Sequence, residues 1–221
     1  MRVLENCEPK QVFYYFEEIC KIPHGSRNTK QISDYLVAFA KEHGFDYVQD
    51  EMNNVIIYKP ATPGYENAPT VILQGHMDMV CEKRPDVQHD FEKDGLNLSV
   101  KDGYVTANGT TLGGDDGIAV AYALALLDST DLPHPALEVL ITVDEEIGLL
   151  GAVGLDCSVL KGKRMINMDS EAEGSLWISC AGGLSAVSHI PVARVDAEGE
   201  KLQIKVCGLC LLYTSDAADE L

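Results

Sequence analysis

The sequence predicts an α/β layer fold. Segments with apolar residues at helical spacing alternate with strand-length segments, and two of the strands are apolar almost throughout, as in a sheet buried on both faces. Residues 9–22 and 28–43 carry the helical spacing in Val12, Tyr15, Phe16 and Ile19, and in Ile32, Tyr35, Leu36 and Phe39. IPHGSRNT between them supplies the Pro, Gly and Ser/Asn/Thr cluster that stops one helix and caps the next. Strands are predicted at 53–59 and 70–76, on either side of a Pro/Gly loop. NLSVKDGYVTAN (97–108) alternates around Lys-Asp-Gly and reads as a hairpin. GIAVAYALALL (117–127) is apolar nearly all round and so predicts a buried helix. LEVLITV (137–143) and RMINMD (164–169) are the near-continuous apolar strands. From about residue 175, LWIS, LSAVSHIPV and KLQIKV follow with no helix between them, as if a second, β-rich unit begins there.

Composition narrows the function classes. The chain has 221 residues, 46% hydrophobic and 24% charged, which is ordinary for a packed domain and excludes a mainly disordered one. A net charge of -18 without a basic stripe argues against a nucleic-acid partner. It fits an acidic solvated surface, and also carboxylates gathered around divalent cations. No apolar run reaches the length of a membrane span, and MRVLENCEPK has no signal-peptide core, so no membrane partner is expected. Seven scattered cysteines, an odd number, point to a reducing compartment, and the cytoplasm is the expected location.

Four clusters fall at the ends of predicted strands or at the start of the buried helix, where α/β folds build their sites. The first is His76-Met77-Asp78, where i and i+2 share a face and the carboxylate can fix an imidazole ligand; a surface His/Asp pair reads the same way. Gly113-Gly114-Asp115-Asp116 can bring a bridging carboxylate close to two cations, or can be a glycine turn with an Asp cap. In Asp144-Glu145-Glu146, adjacent side chains diverge, so one can bind a metal while the other faces a water. A solvated acidic turn is the alternative. Asn167-Met168-Asp169 closes the set. Together, hard carboxylates and one imidazole on separate strand exits describe a two-metal hydrolytic site.

GHMDMVCEK (75–83), HDFEKD (89–94), LGGDDG (112–117), TVDEEIGLLGA (142–152) and NMDSEAEG (167–174) run in an order that resembles the zinc aminoacylase/carboxypeptidase/dipeptidase family. IPHGSRNTKQISDYL (22–36) and HDFEKD favour its dipeptidase branch over the aminoacylases. The resemblance implies a three-layer sheet with flanking helices over residues 1–184, an incomplete catalytic domain. The start of an α+β lid would follow at 185–209. It further implies two Zn2+ ions, with Co2+ or Mn2+ as substitutes. His76 and Asp169 would bind one ion, Glu146 the other, and Asp115 both. Asp78 would orient His76 and Glu145 would act as general base on the attacking water, with a cis peptide between Asp115 and Asp116.

The implied reaction is hydrolysis of dipeptides, Xaa-His and other short peptides, by a full-length parent that dimerises through its lid. An N-acyl amino acid hydrolase and a non-catalytic metal-binding fragment are the alternatives. In the family a further His ligand lies near the far C-terminus, and a Gly-Gly-His-Ser-Gly stretch follows the lid entry that QIKVCGL resembles. Here CLLYTSDAADEL stands instead, so residues 210–221 are expected to be a non-native tail and the chain a poorly active fragment.

Overall fold

The computed structural model describes residues 2–170, 174–179, 189–191, 193 and 199. The chain divides into two units, Met1–Ser170 and Glu171–Leu221. The architecture below is that of the first. Most of the residues of the expected lid entry (185–209), and all of the tail at 210–221, lie outside the described residues. Residues 176–179, predicted as a strand, find no ladder partner among the described residues and are not one.

Helices α1 (Lys10–Ile19) and α2 (Lys30–His43) come first, as the apolar spacing predicts. Five strands then form one sheet. They are β1 (Asp46–Gln49), β2 (Val55–Lys59), β3 (Val71–His76), β6 (Leu137–Thr142) and β7 (Arg164–Asn167), in the spatial order β1-β2-β6-β3-β7. The β1/β2 and β2/β6 pairs are antiparallel, whereas β6/β3 and β3/β7 are parallel. Strands β4 (Leu98–Lys101) and β5 (Tyr104–Ala107) make the separate hairpin, turning through Asp102 and Gly103, both at positive φ. That is the Asp-Gly geometry whose twist matches paired strands.

Helix α3 (Gly114–Asp128) packs on α1 and β3 and buries Ala119, Val120, Ala123, Leu124 and Leu127. With α1, α2 and one sheet face it encloses the main core around Ile19, Ile32, Leu36, Ile57 and Ile141. On the opposite face, Ile56, Ile72 and Leu140 are covered by Leu155, Val159 and Leu160. These follow the short helix α4 (Leu150–Gly154) and include part of a 3-10 turn at Cys157–Val159.

Strand β7 departs from the expectation of a strand buried inside the sheet. Among the described residues it pairs with β3 alone, and Met165 and Ile166 are each 53% exposed. An apolar run says that a strand is built for burial; it does not say that both neighbours are in place.

Candidate metal centre

The register of the parallel strands sets up the site. His76 ends β3 opposite Thr142 of β6, and Gln74 pairs with Asn167 of β7. The ladder continues one bond further on each side, from Met77 N to the Thr142 oxygen and from Met168 N to the Gln74 oxygen. Glu145 and Glu146 therefore leave the sheet on one side of His76 and Asp169 on the other, all at the carboxyl ends of parallel strands. Helix α3 adds its first turn. Its φ/ψ are non-helical at Asp115 and Asp116, and the peptide between these two residues is cis.

His76 is 1% exposed. Its Nδ1–H donates to the backbone oxygen of Asp78 at 3.0 Å, which turns Nε2 toward the acids. Nε2 then lies 3.0 Å from Asp115 Oδ1, 3.8 Å from Glu145 Oε2 and 3.9 Å from Asp169 Oδ2. Three sets of ligand atoms lie within 4.8 Å of one another: His76, Glu145 and Asp169; His76, Asp115 and Glu146; and Asp115, Asp116 and Asp169. Among these sets, Asp115 is the one carboxylate grouped with both Glu146 and Asp169.

Gathering carboxylates in a partly buried cleft perturbs their acidity. Burial, then the Asp115 charge, pushes Glu146 up to about 7. Burial, then Asp169, does the same for Asp116. Glu145 is raised for the same kind of reason, while its bond to His76 holds Asp115 below the usual carboxylate range. Burial works against the His76 imidazolium, but Asp115 and Asp78 outweigh it and lift the ring to about 11. One imidazole among mutually repelling hard oxygens is a donor set that fits a divalent cation, which would relieve the repulsion.

The structure thus brings His76, Asp115, Glu145, Glu146 and Asp169 into one cleft, with Asp78 beneath them. The Asp78 carboxylate sits 3.4 Å from His76 Nδ1, further than its own backbone oxygen. It accepts instead from Ser26 Oγ at 2.8 Å and from Glu145 N at 3.0 Å. Sequence reasoning missed this part of the site. Ser26 belongs to the loop read as a helix break, and Arg27 N donates to Asp144 Oδ1 from the same loop. Asp116, 2% exposed, accepts from His76 N at 3.1 Å through Oδ2. The Asp-Asp doublet drew attention to it, but nothing in the doublet says which carboxylate turns inward.

Fold and cleft define an α/β protein with a carboxylate–imidazole cluster of the metallohydrolase kind. The sequence profile of peptidase family M20/M25/M40 matches residues 72–177. The chain is 42% identical over 95% of its length to the cytosol non-specific dipeptidase of Escherichia coli, of which it covers 44%. Among solved structures it resembles the aminoacylhistidine dipeptidase of Vibrio alginolyticus, with a TM-score of 0.76 and 46% identity. That match covers 77% of this chain and 35% of the other. It also resembles a tripeptidase of Staphylococcus aureus, with a TM-score of 0.62 and 27% identity over 74% of this chain and 44% of the other. The chain spans less than half the length of each of these relatives.

Proposed function

We propose that this chain forms the metal-binding front of a dipeptidase that hydrolyses Xaa-His and other short peptides with two zinc ions. The observation that carries the reading is the direction of His76. Its Nδ1 is satisfied by Asp78, and its Nε2 faces oxygens of Asp115, Glu145 and Asp169 within 3.9 Å. His76 and Asp169 would hold one cation and Glu146 the other, with Asp115 available to both. The grouping of Asp115 with Glu146 on one side and Asp169 on the other supports this assignment. When bound, the cations polarise the scissile carbonyl and acidify the attacking water.

The chain's own residues do the rest. Glu145 takes the water proton and passes it to the leaving amine. Its raised proton affinity suits a base working near neutral pH. Asp78 holds the Glu145 backbone and His76 in one frame, so base and ligand keep a fixed separation. The choice of dipeptides over acylated amino acids rests on the names of the relatives. The same likeness extends the proposal to the cytosol, and the family resemblance read in the sequence extends it to a full-length parent that dimerises through its lid.

Two measurements test the reading. Equilibrium dialysis of the purified chain against Zn2+ should find at most one tight site, lost in Asp169→Ala. Two tight sites contradict the ligand assignment. In a protein of the relatives' full length that carries this chain, a panel of Xaa-His dipeptides and acetylated amino acids should show turnover of the dipeptides. That turnover should fall by about 10³-fold or more in Glu145→Gln. Preference for the acetylated substrates would replace the dipeptidase reading with an acylase one.

A further inference from the structure

Asn54 lies just before β2 and belongs to none of the sequence clusters. It is 1% exposed, and its amide is fully used. Oδ1 accepts from Val143 N at 3.0 Å, and Nδ2 donates to the Gly151 oxygen at 3.0 Å and to Asp50 Oδ2 at 2.7 Å. Val143 and Gly151 are the two ends of the segment that carries Glu145 and Glu146, and Gly151 N donates to the Val143 oxygen across its mouth. A single side chain therefore braces both feet of the turn. Asp50 in turn fixes Asn54, since Asp50 Oδ1 accepts from Asn54 N at 2.8 Å and Asp50 N donates to the Asn54 oxygen at 3.1 Å.

The chemistry is specific to an amide. The position needs one acceptor and two donors within one short planar group; Asp cannot donate, and Ala offers nothing. The packing around it leaves no slack. A Cβ on Gly151 would lie 2.4 Å from the Val143 oxygen and 2.5 Å from Asn54 Oδ1, so the backbone at 151 approaches the amide as closely as glycine permits.

We infer that Asn54 is a positioning residue of the metal centre: it sets the turn 144–150 so that Glu145 and Glu146 face His76 and Asp115. The inference rests on the cation-binding reading above. Asn54 reaches the cation only through the turn, as supporting hydrogen bonds orient ligands elsewhere.

Isothermal titration with Mn2+ tests it, with far-UV circular dichroism to establish the fold of each variant. Asn54→Ala should weaken the second, weaker Mn2+ site, the one that Glu146 serves, by about 10- to 100-fold in a chain that remains folded, and leave the tight site of His76, Asp115 and Asp169 within about twofold. In a Glu145→Gln/Glu146→Gln background the remaining ligands His76, Asp115 and Asp169 are carried by β3, by α3 and by the segment after β7, and none of them by the turn. There, Asn54→Ala should change the affinity by less than about twofold. Gly151→Ala disturbs the same brace from the other side and should repeat both results, which keeps the test available if Asn54→Ala does not fold. Unchanged affinity at the second site in folded Asn54→Ala or Gly151→Ala overturns the inference. So does a loss of equal size in the doubly substituted background, which would mean a purely global effect. A parent chain that binds no Mn2+ overturns the metal-centre reading itself, a result distinct from either.

Discussion

The Nδ1–H of His76 is held by the backbone oxygen of Asp78, 3.0 Å away and two residues along the same extended segment. Because the main chain supplies that contact, the Asp78 carboxylate reaches elsewhere, to Ser26 Oγ and to the Glu145 amide. Three segments distant in sequence meet on one buried side chain: the loop after α1, the end of β3 and the acidic turn after β6. Burial works against the Asp78 charge, but the neighbouring His76 ring, then the Glu145 amide and the Ser26 hydroxyl, outweigh it and hold Asp78 below the usual carboxylate range.

Asp78→Ala should therefore act mainly on stability. It leaves the Ser26 hydroxyl and the Glu145 amide without their acceptor, at about 1–3 kcal/mol for each buried group. Asp78→Asn keeps one acceptor oxygen and should lose about half as much. Urea unfolding followed by circular dichroism separates the two. Equal losses in the Asn and Ala variants would mean that the acceptor oxygens contribute little.

The elements that sequence patterning marks well are those with one strong period. Helices α1 and α2, the Asp-Gly hairpin and the apolar strand β6 were all legible. Strand β1 was not, because Asp46–Gln49 is only four residues long and no residue of it is fully buried. The acids of the site stood out because carboxylates at strand ends are costly without a partner. Their supports did not stand out. Ser26 reads as part of a helix break and Asn54 as the start of a strand, and their roles come from contacts 52 and 89 residues away in sequence.

Cation binding should be proton-coupled, with a sign fixed by the raised groups. His76 is lifted to about 11 and Glu146 to about 7, so the cation-free chain holds protons that a bound cation displaces. Affinity must then rise with pH. The slope of log affinity against pH should be about one proton above pH 7, from His76, and approach about two below it as Glu146 joins. Mn2+ titrations between pH 6 and 8, in buffers of different ionisation enthalpy, read the proton count directly. A pH-independent affinity would falsify the assignment of His76 as a ligand.

Glu138 provides a test away from the cleft. It is 2% exposed within β6, and its carboxylate accepts from Lys161 N and Gly162 N at 3.0 Å, anchoring the loop that leads into β7. Glu138→Leu keeps the bulk but strands both amides. It should lower unfolding free energy by about 2 kcal/mol, since bonds to a charged acceptor are worth about 1.5–3 kcal/mol each and the loop can partly recover water. Glu138→Gln, which retains one acceptor, should fall between Leu and the parent. Chemical denaturation ranks the three, and a Leu variant as stable as the parent would show that the loop does not depend on this anchor.

Asp116 poses the sharpest question, because the cleft allows it two roles. Its oxygens lie close enough to Asp115 and Asp169 to share a cation, yet Oδ2 already accepts from His76 N. If its work is to accept that amide, Asp116→Asn should bind Mn2+ within about threefold of the parent, because the amide oxygen can take over the bond. Asp116→Leu should then lose about 1–3 kcal/mol of stability by orphaning His76 N. The pH dependence adds a sign. Burial, then Asp169, raises the folded carboxyl to about 7, above its unfolded value, so the folded chain binds the extra proton. The parent must lose stability as pH rises from about 4 to about 7 through this group, and the neutral Asp116→Asn variant escapes that loss. That variant should therefore gain on the parent across the same window and hold a constant advantage above it, in urea unfolding without added cation. A ligand role gives the opposite pattern with cation present: Asp116→Asn and Asp116→Leu would both weaken Mn2+ binding by more than about tenfold, and the acceptor role would be wrong.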